Sequence, residues 1–122
     1  MANTNKATPI DATEVDETVA VEVETDNDSY THTFKSPLDY MGKKFDELTF
    51  NWAKLTGRDA LAITAEMAAL GKATTLPAFS VEYQVRMAVK ACTVKLGSDA
   101  FDTMPLRDFN KITGAAQSFL LK

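Results

Sequence analysis

Cysteine and histidine are almost missing from this chain of 122 residues, which holds one of each, Cys92 and His32. A lone cysteine excludes an intramolecular disulfide and any multi-cysteine zinc site. A lone histidine excludes a His-His metal pair and leaves a histidine-based catalytic triad poorly supported. Long apolar runs are missing too, since none reaches the ~18 residues that a membrane-spanning helix needs. The N-terminal residues lack the basic start and apolar block of a secretion signal. Glycine-rich phosphate loops are also absent. Leu55-Thr56-Gly57-Arg58-Asp59 contains one glycine and lacks the spacing of a Walker or dinucleotide fingerprint. These absences point to a cytoplasmic protein with no metal centre, no cofactor and no membrane contact.

Charge is unevenly spread. The formal net charge is −4, yet residues 1–28 hold eight acids against the single base Lys6 and are near −7. The other 94 residues are therefore near +3. The acidic stretch has no aromatic residue and only scattered valine and isoleucine. It cannot bury enough apolar surface to offset its ordering entropy and reads as a flexible arm. Val19, Val21 and Val23 alternate with polar or small residues, so an extra edge strand is the competing reading there. The arm serves solubility or, more specifically, masks the mildly basic body. A weak excess of base spread over the body gives no basic stripe, which argues against nucleic acid as a partner.

Residues 29–122 read as one α+β domain. Tyr30, His32, Phe34, Leu38 and Tyr40 share parity and would share a strand face. Pro37 bends that strand or places it at an edge. Met41-Gly42 makes a tight turn into a second strand over residues 43–52, with a bulge near Asp46-Glu47 to reconcile Phe45 with Leu48, Phe50 and Trp52. A lone hairpin is not stable, so its aromatic face must lie on something else. Thr56 and Asp59 suggest a capping box for a helix over residues 57–70, closed by Gly71. Its apolar positions are Leu61, Ala65 and Ala68, with Ile63, Met67 and Leu70 beside them. Ser80 caps a second helix, over residues 80–96, with two apolar stripes: Val81, Val85, Ala88, Cys92 and Leu96, and beside it Tyr83, Met87, Ala91 and Val94. A helix apolar on two sides is central in a core or also meets a partner. Pro105 opens a third helix, capped by Asp102 or Thr103, with Leu106, Phe109, Ile112, Thr113, Ala116, Phe119 and Leu120 on its apolar face.

Little here suggests catalysis. Cys92 lies on an apolar stripe and reads as a small buried hydrophobe. His32 sits between aromatic residues on a strand face and reads as a core-edge residue. Asp99 and Asp102 could hold an ion, but they better suit solvation of the turn and capping of the next helix. What stands out is apolar surplus. Seven Phe, five Met, three Tyr and one Trp must be placed in a small body. Met41, Met67, Met87 and Met104 fill the core or form an adaptable contact surface.

The order of these features resembles the tail assembly chaperones of long-tailed bacteriophages and prophages, over residues 30–121. Phe34-Lys35-Ser36-Pro37-Leu38-Asp39-Tyr40-Met41-Gly42-Lys43 is similar to the family's opening hairpin, and Phe45-Asp46-Glu47-Leu48-Thr49-Phe50 to its return strand. Leu55-Thr56-Gly57-Arg58-Asp59 resembles the start of its first helix. The C-terminal half, with Asp99 in a turn and then Leu106, Ile112 and Phe119-Leu120, resembles its closing pattern. Asn51-Trp52-Ala53-Lys54 departs from an Arg-Glu-Pro-like stretch common there. The resemblance implies a non-enzymatic protein of the host cytoplasm, absent from the mature virion. It would bind the tape measure protein, with the tail tube protein and further copies of itself as additional partners. It also implies a longer product made by ribosomal frameshifting. For the contact surface, Tyr83, Met87 and Val94 of the second helix and Phe109 and Phe119 of the third are the candidates, and aspartate at Tyr83 and Met87 should then abolish binding without disturbing the fold. The alternatives are a structural tail component of terminator or connector type, and a small DNA-binding regulator.

Overall fold

The structure, a computed structural model, describes residues 28–122. The expected acidic arm, apart from Asp28, and the competing strand at Val19–Val23 lie outside the described residues. The rest is a β-hairpin followed by three helices, as the residue pattern predicts. Strand β1 (Ser29–Tyr40) pairs antiparallel with β2 (Lys43–Asn51). Met41 and Gly42 both have positive φ, 52° and 81°, which is the backbone of a hairpin turn whose twist matches its strands. The inner face carries His32, Phe34, Leu38, Leu48 and Phe50, all buried. The pairing is interrupted between Thr33↔Glu47 and Leu38↔Phe45. The extra residues therefore sit on β1, around Pro37, and not on β2 at Asp46-Glu47 as the parity of Phe45 suggested. Proline supplies no N–H to a ladder, so the strand that carries it is the one that bulges.

Helix α1 (Gly57–Ala69) begins with Asp59 reaching back, its Oδ2 accepting from the Thr56 N–H at 2.9 Å. It ends in a Schellman motif, in which the Lys72 N–H bonds Met67 O at 2.8 Å and the Gly71 N–H bonds Ala68 O at 3.0 Å, with Gly71 at φ 73°. Helix α2 (Val81–Ala91) is capped by Ser80, whose Oγ accepts from the Tyr83 N–H at 3.2 Å. It stops five residues before the predicted end at Leu96. Cys92 turns extended and bridges to Phe50, and the Thr93 N–H donates to Thr49 O at 2.9 Å. The segment thus adds to the outer edge of β2. Thr93 and Val94 are β-branched and favour extended backbone, and the edge offers hydrogen bonds that a further helical turn would forgo. Val94 is therefore not on the second helix.

A short 3₁₀ turn at Ser98–Phe101 leads to α3 (Leu106–Leu120). Pro105, and not Asp102 or Thr103, occupies the cap position of α3, with no side chain capping it. Asp99 instead accepts from Tyr40 Oη at 2.7 Å, and the same hydroxyl accepts from the Gly97 N–H at 3.2 Å. A Cβ at Gly97 would lie 2.6 Å from Asp99 Oδ1 and 3.0 Å from Tyr40 Oη, so glycine permits this close clasp between the hairpin end and the α2–α3 connection. Helix α2 packs on α1 and α3, and α3 also packs on β1. Of the four candidate adaptable methionines, Met67, Met87 and Met104 are buried and only Met41, at the hairpin tip, is exposed. No described helix is long and apolar enough to cross a membrane.

One polar line ties β1 to α3 through the core. His32, 2% exposed, lies edge-on to Phe34. Its Nδ1 is 2.9 Å from Tyr30 Oη and its Nε2 is 2.7 Å from Asp108 Oδ1. Both ring nitrogens thus have partners, which is the condition for tolerating a buried imidazole. Asp108→Ala strands Nε2 in the core and should lower stability by about 1–3 kcal/mol, read as an earlier urea midpoint. Burial, with the charge of Asp108 second, holds the Tyr30 phenol above its ordinary pKa. The unfolded chain releases that proton more readily, so this contribution to stability is complete below the ordinary tyrosine value and is lost as pH rises through the raised one. Tyr30→Phe should flatten the alkaline fall in stability measured by urea titration.

Candidate functional site

Helix α2 has two apolar stripes on nearly opposite sides, and the fold uses them differently. Tyr83, Met87 and Ala91 face the core and are buried. Val81 is 52% exposed, while Val85 and Val89 are half-buried. The stripe expected to meet a partner is thus the inner one at Tyr83 and Met87. The stripe expected to be buried opens to solvent at its N-terminal end. Within the helix only Ala88 of that stripe is fully buried, while Cys92 and Leu96 are buried beyond its end.

Three of the sequence-selected residues, Tyr83, Met87 and Phe119, line one cleft of about 240 Å³ between the start of α1, α2 and the end of α3. Leu55, Ile63 and Leu120 complete its apolar walls. Phe119 is half-buried and tilts against Trp52 with ring centroids 6.3 Å apart. Tyr83 and Met87 are core walls of this cleft and not free surface. Aspartate at either position would bury an unpaired charge, so loss of the fold is the outcome their burial predicts. Tyr83 Oη has no hydrogen-bond partner among the described residues, and burial raises its pKa.

Phe109 lies elsewhere. It lines two adjoining clefts of about 270 and 280 Å³ that share Phe101, Asp102 and Phe109. Val81 and Val85 wall the first, and Met104 and Leu106 wall the second. Phe109 packs edge-on against buried Phe101, centroids 6.4 Å apart. Val94 lines none of these clefts and packs, half-buried, on the core beside the β2 edge.

No protein-family model, curated protein or solved structure matches the chain. What the clefts take is therefore set by their own shape and charge. A ladder of ion pairs runs along the α1–α2 seam beside the outer clefts. Lys72 meets Glu82 at 3.2 Å, Arg86 meets Glu82 at 3.5 Å and Glu66 at 4.0 Å, and Lys90 meets Glu66 at 3.5 Å. Such pairs contribute little stability singly, but they fix the charge of the groove edge. Arg86 Nε is buried without a partner. No group of three or more metal-ligating side chains occurs among the described residues. Cys92 is buried and its thiol pKa is pushed up, chiefly by burial, which is the setting of an unreactive thiol. The Tyr30–His32–Asp108 line, buried at His32 and half-buried at its two ends, lines none of these clefts. The inner cleft has mainly apolar walls and suits apolar side chains, whereas the outer clefts mix apolar walls with charged ones.

The two residues of the inner cleft should separate in mutagenesis. Met87→Ala removes buried volume and should cost about 2–5 kcal/mol. Tyr83→Phe removes only a hydroxyl without a partner and should stay within about 0.5 kcal/mol of the parent at neutral pH. Urea denaturation followed by tryptophan fluorescence of Trp52 reads both.

Proposed function

We propose that this chain is a phage tail assembly chaperone that binds the tape measure protein and keeps it soluble while tail tube subunits assemble around it. The observation that carries the reading is the apolar surface that the helical half keeps outside its core. Leu61, Leu70, Leu76, Phe79, Val81, Leu106 and Leu121 are each more than half exposed, whereas on the hairpin only Met41 is. Apolar side chains left exposed on one half of a small domain are candidates for an interaction surface. The resemblance of residues 30–121 to the tail assembly chaperones supplies the partner, a long helical protein whose apolar stripes aggregate when uncovered. Helix-in-groove binding is the mode that suits such a client, with anchors at helical spacing entering clefts between helices.

The role is non-enzymatic, exercised in the host cytoplasm, and ends before the virion matures. The length of a tape measure protein calls for several copies per client, so self-association in a ring or spiral and contact with the tail tube protein belong to the same reading. Co-expression with the tape measure protein of the same phage or prophage tests it. The client should be insoluble alone, soluble with this chain, and should elute with it on size exclusion. A client that stays insoluble, or this chain retained in purified mature particles, would remove the reading.

A further inference from the structure

We propose that residues 19–24, which precede the described body, add to the open edge of β1 as a third strand and close that edge to other chains. The inference does not depend on the chaperone reading. Among the described residues β1 pairs with β2 alone. What its other edge presents follows from β2. The Thr93 N–H donates to Thr49 O at 2.9 Å, so the polar backbone of Thr49 faces away from β1. Thr49 stands opposite Thr31. Theirs is therefore a pair without backbone hydrogen bonds, the kind whose side chains lie closest, and the two hydroxyls are 3.0 Å apart. Thr31, and two residues on Thr33, thus turn their N–H and C=O to the far edge. Both residues are exposed. An edge of this kind is a template for pairing with any extended chain.

The segment that fits is tethered to the same strand. Asp28 O accepts from the Ala53 N–H at 3.1 Å, so the Asp28 carbonyl turns to the β2 side and takes no part in a ladder on the other edge. A hairpin running back from β1 then closes at Ser29. Thr25-Asp26-Asn27-Asp28 is its four-residue loop, rich in the residues that favour turns. That loop sets Glu24 opposite Ser29, Glu22 opposite Thr31 and Ala20 opposite Thr33. Val23, Val21 and Val19 fall opposite Tyr30, His32 and Phe34 and share their face. A loop of odd length would turn the valines outward, whereas an even one brings all three to the apolar side. Tyr30 is half-buried where His32 and Phe34 are buried, and Val23 covers it. The valines alone cannot offset the entropy of ordering the segment. The edge adds backbone hydrogen bonds, and the tether removes the cost of bringing two molecules together, which favours this segment over a second copy of the chain. Glu22 and Glu24 face outward beside Thr31 and Ser29, and charge on an edge strand discourages further pairing.

NMR of the full chain, labelled with ¹⁵N and ¹³C and measured at two concentrations, tests the proposal. Hα–Hα contacts should join Val23 to Tyr30 and Val21 to His32. The Thr31 and Thr33 amides should exchange at least about tenfold more slowly than in an unstructured chain. Val21→Asp places a charge on the apolar face and should return both amides to the unstructured rate. Glu22→Gln, on the outer face, should leave them protected. Both substitutions lie outside the described body, and the remaining spectrum shows whether its fold is kept. Any of four results would overturn the inference: no contact between residues 19–24 and β1, contacts moved by one residue so that the valines face outward, protection that survives Val21→Asp, or protection that appears only at the higher concentration and so marks a second copy on the edge.

Discussion

The inner face of the hairpin must be covered, and the rest of the domain is arranged around that requirement. Two strands alone cannot hold together in water, and this pair carries Phe34, Leu38, Leu48 and Phe50 on one side. Trp52, just past the end of β2, extends the same surface by stacking on Phe50 at 5.7 Å. The cover is supplied by α2 and α3. Ala88 and Ala91 present no bulk on the covered side of α2, and both are fully buried. Small residues there let the helix end come close enough for Cys92 and Thr93 to bond to β2. The Tyr30–His32–Asp108 line adds direction, because it accepts only one placement of α3 against β1.

That requirement also determines what is left over. Helix α2 gives up its last predicted turn to complete the β2 edge, and its outer stripe is shortened as a result. Val81 is left exposed and Val85 half-buried, facing the same cleft as Phe101 and Phe109. Helix α1 contributes only Ile63 and Met67 to the core, leaving Leu61, Ala65 and Ala68 on the open side of the domain. A domain of this size has too little interior for every apolar residue its helices carry. The surplus falls on the helices because the hairpin's demand for cover is met first.

Local chemistry was the legible part of the sequence. The Met41-Gly42 turn, the Asp59 reach-back, the Gly71 helix end and the Ser80 cap each depend on residues a few positions apart, and each is found where the residues predict it. Long-range choices were not legible. Nothing near His32 indicates that its partner is Asp108, 76 residues away. Nothing within residues 80–96 reveals that the backbone of Thr49 would claim Thr93 and end the helix. Periodicity found both apolar stripes of α2, but which stripe turns inward depends on where the hairpin docks. For the same reason, of the five residues grouped by apolar character, Tyr83, Met87 and Phe119 meet in one cleft, while Phe109 opens on another and Val94 on neither. The Asp102 carboxylate beside Phe109 was visible only as a turn residue, since its place in the outer clefts requires α2 and α3 to be brought together.

The two kinds of cleft differ in what occupying them would cost the fold. The walls of the inner cleft include Ile63, Tyr83 and Met87, which are buried core residues, so a bulky side chain entering there must displace close-packed neighbours. The outer clefts are rimmed by residues that already face water. A partner seated on Val81 and Leu106 would leave the contacts of His32, Phe50 and Trp52 in place. A protein that must hold a client during assembly and then release it needs binding that is uncoupled from its own folding, because coupling the two would make each release a partial unfolding. On the chaperone reading proposed above, the outer clefts meet that condition and the inner one does not.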